Sequence, residues 1–355
     1  MIGLFLWGSL SLAEPTPLEQ TKALSMKLLG EAAKEKALEK AAIQGMISYL
    51  DSTLGLGASQ LMTEKEKDRY LSYQLGIRDG YGLSVGFIER RGLLIEDVFV
   101  DGAAMASGIE YGDLVVALND HPFTGRTIAE MKALLNQPYE GKGHFDVLRR
   151  GKLRRFTVKR SLYRVRNITQ EDRFVRINFF GQGAAKELRK IIEESPKEYL
   201  ILDLRDNEGG LLSEVEKVAG FFLGARTIGY RQYIEGKREQ VRSIPSEFMY
   251  EKPIYLMTNK GTSAAAELFV SALLYSKRAI VVGERTAGKA AEYHFYPLNS
   301  DLFLHIADVE LLHLGETSWK GKGIEPSVVV RSATILPSTR SVDVQLETIF
   351  QLMKR

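Results

Sequence analysis

"PIYLMTNKGTSAAAELFVSALLYS", residues 253–276, reads as a buried strand, a small-residue turn and a helix. The apolar run of four residues before Thr258 is too short for a helix and long enough for a strand, and glycine marks the turn. The same grammar recurs on both sides. Upstream, "DRFVRINFF" (172–180) is a strand and "GAAKELRKIIEES" (183–195) an amphipathic helix. "YLILDLRDNEGG" (199–210) then runs from a buried strand into a polar, glycine-ended loop, and "LLSEVEKVAGFFL" (211–223) is another helix. Downstream, "RAIVVGERTAGKA" (278–290) is a strand and loop. Strands alternating with helices imply βαβ units and an α/β core, whose ligands gather at the carboxyl ends of the strands. Three such ends carry unusual residues: Asp203–Gly210, Thr258–Ala264 and Gly283–Lys289.

The chain has 355 residues, enough for two or three domains. Its 45% hydrophobic and 26% charged residues are an ordinary globular balance, and a net charge of +3 does not point to nucleic acid. There is no cysteine, so thiol catalysis, disulfides and Cys-ligated metals are excluded. His121, His144, His294, His305 and His313 show no metal-ligand spacing, and no metal or cofactor is expected. An apolar run from Ile2 to Ala13, with small Ser11 and Ala13 before a polar break, has the pattern of an export leader over 1–13. On that reading the mature protein is expected outside the cytoplasm, in a bacterial periplasm; a buried apolar N-terminal segment is the alternative.

Residues 17–75 are rich in Glu, Lys, Ala and Leu, with apolar positions such as Leu24, Met26, Ile43 and Met46 at helical spacing. Two or three helices are expected there, with "LGLGASQ" (54–60) as a loop between them. The segment looks too small and charged to fold alone. From 76 to 162 the texture becomes short strands and glycine turns, with one helix near Ile128–Leu135. Its basic stretch "RRGKLRRFTVKR" (149–160) reads as a solvated hairpin. The α/β core occupies 163–332, and 333–355 ends in an amphipathic helix. The apolar face of that helix, with the N-terminal helices, suggests a homo-oligomer; packing on its own domain is the alternative.

A small-residue turn feeding a helix N-terminus is where many hydrolases hold a nucleophile against backbone N–H donors. The only hydroxyls in "NKGTSAAAE" (259–267) are Thr262 and Ser263. "GERTAGK" (283–289) has Ala290 where a phosphate-binding loop needs Ser or Thr, so it is not set up for nucleotide.

Two groups of motifs carry a resemblance. "YGLSVGF" (81–87) and "AAMASGIEYGDLVVALND" (103–120) resemble a PDZ domain of the kind inserted in processing proteases. In such a domain Gly82, Leu83, Ser84 and Val85 would hold a C-terminal peptide as an added strand. "LILDLRDNEGGLL", "NKGTSAAAE", "AIVVGERTAGKA" and "GKGIEPSVVV" stand in the order of the motifs of the C-terminal processing peptidases, or tail-specific proteases. The first has Glu208 where that family's motif has proline.

The resemblance implies a serine endopeptidase with a Ser/Lys dyad, acting on proteins or peptides with exposed C-termini, with an activating adaptor as a further partner. Aligned on Glu267, its nucleophile falls at position 264, which holds Ala264. Lys289 falls at the general base, and its Gly-flanked loop after an apolar strand suits a largely desolvated site. Ser263 is a poor substitute nucleophile, since one helical residue turns its hydroxyl by about 100°. Ala265 N–H and a glycine N–H of Gly209–Gly210 are the implied oxyanion donors. The family's lysine-orienting glutamine is replaced by Tyr293, and Asp203 with Arg205 reads as a structural pair at the strand end. The chain as given is expected to be inactive. The intact surroundings fit a deliberate serine-to-alanine change, with a natural peptide-binding pseudoprotease as the alternative.

Overall fold

The computed structural model describes residues 16–29, 35–54, 59–99, 101–135, 141–194, 198–331 and 343–354. The expected leader over 1–13 lies outside them. The chain divides into two compact units: Met1–Glu64 with Tyr293–Ala307, and Lys65–Glu292 with Asp308–Arg355.

In the first unit, helices Pro17–Leu29 and Glu35–Leu54 form from Ala, Glu and Lys, residues with good helix propensity. Thr16 and Glu19 close a reciprocal capping box: the Thr16 N–H donates to the Glu19 carboxylate at 2.7 Å, and the Glu19 N–H to the Thr16 hydroxyl at 3.3 Å. Several of the apolar positions at helical spacing are exposed here, among them Leu24, Met26 and Met46. Of the expected loop over 54–60, residues 55–58 lie outside the described residues; Leu54 ends the second helix and Gln60 opens a strand, Gln60–Thr63, paired antiparallel with Leu302–His305. Its partner lies about 240 residues away, so no local pattern announces it.

The second unit is built on a six-stranded sheet. Its order is Ile168–Gln170, Val175–Ile177, Leu200–Asp203, Ile254–Thr258, Ala279–Gly283, Val328–Val329, parallel after the first antiparallel pair. Successive side chains point to opposite faces. Leu200, Leu202, Ile254, Leu256 and Val281 therefore join one core, with helices Ala184–Glu194, Leu212–Leu223 and Ala265–Tyr275. Ile201, Tyr255, Met257 and Val282 join another with Leu346 and Ile349 of helix Val344–Met353. Covering both faces explains why these strands read as unbroken apolar runs. In the C-terminal helix, Leu346 and Ile349 pack within their own unit.

The β-rich segment enters and leaves through a two-stranded ribbon, Ile77–Gly80 against Ser161–Arg164. Its sheet runs Leu83–Ile88, Gly92–Val98, Leu114–Leu118, Lys142–Arg149, Lys152–Lys159, with His121–Pro122 beside Leu114–Leu118. Besides Ile128–Leu135 it contains a short helix, Ala103–Ser107, which the sequence reading did not separate from the surrounding turns. The basic stretch is a hairpin turning at Arg150–Gly151, both with positive φ. Arg149 pairs with Asp113 and Glu110, and Arg155 with Asp146 and Asp120. Arg160 pairs with Asp79, so part of that charge is locally compensated.

Candidate active site

The strand Ile254–Thr258 delivers the chain into a turn fixed almost entirely by short polar side chains. Asn259 Oδ1 accepts the N–H of Gly261 and of Asp206, both at 2.9 Å. The Thr262 hydroxyl donates to the Leu204 carbonyl at 2.8 Å, and the Ser263 N–H to the Asn207 carbonyl at 2.9 Å. Small polar residues succeed here because their side chains reach nearby backbone. The turn is thereby bound to the loop that follows Asp203. Ser263 is buried, at 2% exposure.

Ala264 adopts φ 54° and ψ −123°, a conformation that L-residues rarely take. Strain of this kind costs about 1–3 kcal/mol and persists only where the surroundings impose it. A strained strand-to-helix turn is also what lifts a nucleophilic side chain clear of its neighbours in other hydrolases.

Gly209, at φ 96°, closes on this turn: a Cβ there would lie 2.9 Å from Ala265 N and 3.1 Å from the Ala264 Cβ. Only glycine permits that approach. The Gly209 N–H is already committed to Asn207 Oδ1 at 2.8 Å. The Phe180 N–H donates to the Gly209 carbonyl and the Leu211 N–H to the Phe180 carbonyl, a bridge that turns the Gly210 N–H away from Phe180. Neither the Gly210 nor the Ala265 N–H has an acceptor among the described residues. Two donors thus stay free around Ala264.

The residue that joins this turn to the lysine loop is Glu267, which is fully buried. Its carboxylate accepts the Ala264 N–H at 3.0 Å, the Gly288 N–H at 2.7 Å, the Lys289 N–H at 2.8 Å and the Thr286 hydroxyl. Burial pushes this carboxyl above its ordinary range, against the pull of those four donors. In the sequence Glu267 serves only to align the motif; its spacing from position 264, that of a capping box, is the signal of this role. The "GKGIEP" strap (321–326) completes the loop. Ile324 N–H donates to the Thr286 hydroxyl at 2.7 Å, and Gly321 N–H to the Gly288 carbonyl at 2.9 Å.

Lys289 is exposed, where a largely desolvated side chain was expected. Its N–H is held by Glu267, and its neighbours Gly288 and Ala290 face inward, which sends the lysine side chain out. Tyr293 belongs to the first unit, where its ring stacks on His305 at 5.0 Å.

Asp203, at 0% exposure, accepts hydrogen bonds from Arg205 and Arg176. Arg205 continues to Asp343, the N-cap of the C-terminal helix. In the β-rich segment Gly82, at φ 77°, packs its α-carbon on Gly102. The strand Leu83–Ile88, which contains Leu83, Ser84 and Val85, is an edge strand, bonded among the described residues only to Gly92–Val98. A cleft of about 530 Å³ runs from Ser84, Phe99 and Tyr111 to Asp206 and Glu208, next to Gly209. A separate hollow of about 470 Å³ lies at the opposite strand ends, around Pro253–Tyr255 and Arg278–Ile280. Among the described residues no group of three or more His, Cys, Asp or Glu is placed to hold a metal. No described helix is long and apolar enough to cross a membrane.

Residues 174–330 match peptidase family S41. The chain is 26% identical over 338 residues to carboxyl-terminal-processing peptidase 3, chloroplastic, of Arabidopsis thaliana, covering 88% of this chain and 65% of that protein. It is 24% identical to a probable CtpA-like serine protease of Staphylococcus saprophyticus, covering 96% and 72%. The chain thus spans about two thirds of the length of these relatives. The solved structure of the photosystem II D1 C-terminal processing protease superposes with a TM-score of 0.54 at 19% identity, over 87% of this chain and 86% of that one. The fold is shared.

Proposed function

We propose that the chain, whose residues 174–330 match peptidase family S41, is the framework of a carboxyl-terminal-processing serine endopeptidase. Its nucleophile position is filled by Ala264, so the chain as given does not cleave. The observation that carries this reading is the strained Ala264 between two free N–H donors, with Glu267 binding its turn to the Lys289 loop.

With serine at position 264, the hydroxyl oxygen adds to the scissile carbonyl carbon as its proton passes to Lys289 Nζ. The carbonyl oxygen takes the negative charge and is held by the Ala265 and Gly210 N–H groups. Collapse breaks the C–N bond, and the lysine returns the proton to the leaving amine. Water then repeats the cycle on the acyl-enzyme. On this reading bound substrate covers the exposed Lys289 and supplies the desolvation that makes the neutral amine available.

The β-rich segment, read as a PDZ domain, captures the substrate's C-terminus on the edge strand at Gly82–Val85. The cleft from Ser84 to Glu208 leads the tail toward Ala264. The test compares the chain with its Ala264→Ser variant on a loosely folded protein ending in an apolar tail, followed by mass spectrometry. Cleavage by the serine variant alone is expected. Cleavage by the chain as given would move the nucleophile to Ser263. Tail binding without cleavage by either form would favour the second reading, a peptide-binding scaffold, for which Ala264 itself is the motivating observation.

A further inference from the structure

Glu208 sits one residue before the glycine that packs on Ala264, where the motif it resembles has proline. A proline ring would fix φ and stiffen the loop. This loop instead is gripped from outside. The Tyr73 hydroxyl, from helix Glu64–Gln74, donates to Glu208 Oε2. Arg78 lies over the Tyr73 ring at 3.3 Å and donates to the Tyr73 carbonyl at 2.7 Å. Phe179 closes the cluster: its ring meets Tyr73 edge-on at 5.8 Å and lies 5.2 Å from the Arg78 guanidinium. The next residue, Phe180, bonds both Gly209 and Leu211. The cluster therefore grips the glycine pair through the Glu208 side chain and through the Phe180 backbone.

We propose that Glu208 is a positioning residue, clasped by Tyr73 and backed by Arg78, that sets the Gly209–Gly210 backbone for oxyanion binding. Arg78 lies on the strand Ile77–Gly80, which runs directly into the edge strand that begins at Leu83. The clasp therefore also ties the segment read as tail-capturing to the oxyanion loop, a consequence that rests on the proposed function above. Burial, with the Glu208 carboxylate beside it, pushes the Tyr73 hydroxyl up to about 12, so it stays a donor at neutral pH.

The first measurement needs no activity. Hydrogen exchange on the chain as given and on Tyr73→Phe, which keeps the ring and its stacking, is expected to show faster exchange confined to residues 207–211. Unchanged exchange there would overturn the clasp. The second uses the Ala264→Ser background. Tyr73→Phe and Glu208→Ala are each expected to lower kcat about tenfold with KM within about twofold, the loss of one charge-assisted hydrogen bond felt at a transition-state donor. Glu208→Gln, which still accepts from Tyr73, should recover part of that loss, and the double variant should be no worse than either single one. Additive losses, or losses in KM alone, would contradict it. If Ala264→Ser cleaves nothing, the endopeptidase reading fails, while the exchange experiment still decides the clasp.

Discussion

Two carboxylates, Asp203 at the end of strand Leu200–Asp203 and Glu267 in the first turn of helix Ala265–Tyr275, are both fully buried, yet they are satisfied in opposite ways. Asp203 takes its hydrogen bonds from two guanidinium groups, Arg176 and Arg205, apart from the Arg205 N–H at 3.0 Å. Glu267 takes three of its four from backbone N–H groups of two separate loops. An arginine-bound carboxylate holds secondary structure together; here the chain of pairs runs from Asp203 through Arg205 to Asp343 and the C-terminal helix. A carboxylate bound by main-chain donors fixes backbone positions, and those it fixes are Ala264, Gly288 and Lys289. The contrast separates frame from working parts.

Asp203→Ala should break the frame first, by about 3 kcal/mol, since it takes from Arg205, largely buried, one of its two carboxylate partners and from Arg176 its only one among the described residues. Urea denaturation reads this directly, and a loss below about 1 kcal/mol would remove Asp203 from that role. Glu267→Ala should cost less stability, about 2 kcal/mol, because freed loop N–H groups can turn to water. In the Ala264→Ser background, however, it should lower kcat/KM at least 100-fold by releasing the nucleophile turn from the lysine loop. Retained activity would reduce Glu267 to a packing residue.

The smallest effect sharpens the comparison through pH. Burial raises the Glu267 carboxyl, so the folded state keeps that proton longer than the unfolded chain. Its contribution to stability is full below the ordinary value of 4.5 and declines as pH rises through the folded value. For Asp343 burial acts upward, but the Arg205 hydrogen bond and charge and the Leu346 and Gln345 N–H groups hold the carboxyl below 3.8. Its contribution is present above 3.8 and is lost as pH falls. In urea midpoints measured from pH 3 to 7, Glu267→Gln should remove a decline on the rising side, and Asp343→Asn a loss on the acid side. Identical profiles for both variants would refute the contrast.

Much of the frame was legible in the sequence because it is local. "YLILDL" and "RAIVVG" are continuous apolar runs since both sheet faces are covered, and "ELRKIIEE" has the period of a helix packed on one side. The positions of Ala264, Gly209–Gly210 and Lys289 came from motif order. What escaped depended on distant partners. Gln60–Thr63 is a strand only because Leu302–His305 lies beside it. The four donors of Glu267 come from segments up to 22 residues away, and the donor of Glu208 from 135 residues away. Lys289 was misjudged for burial because an apolar strand leading into a loop says nothing about which side chains in that loop face inward.

The central claim is that position 264 is the nucleophile position, with Lys289 its base. Intact mass and peptide mapping of Ala264→Ser after treatment with a serine-reactive fluorophosphonate test it most directly. A single adduct at position 264, absent from the chain as given and lost in Ala264→Ser with Lys289→Ala, is the predicted result. An adduct on Ser263, or labelling that survives loss of Lys289, would contradict it.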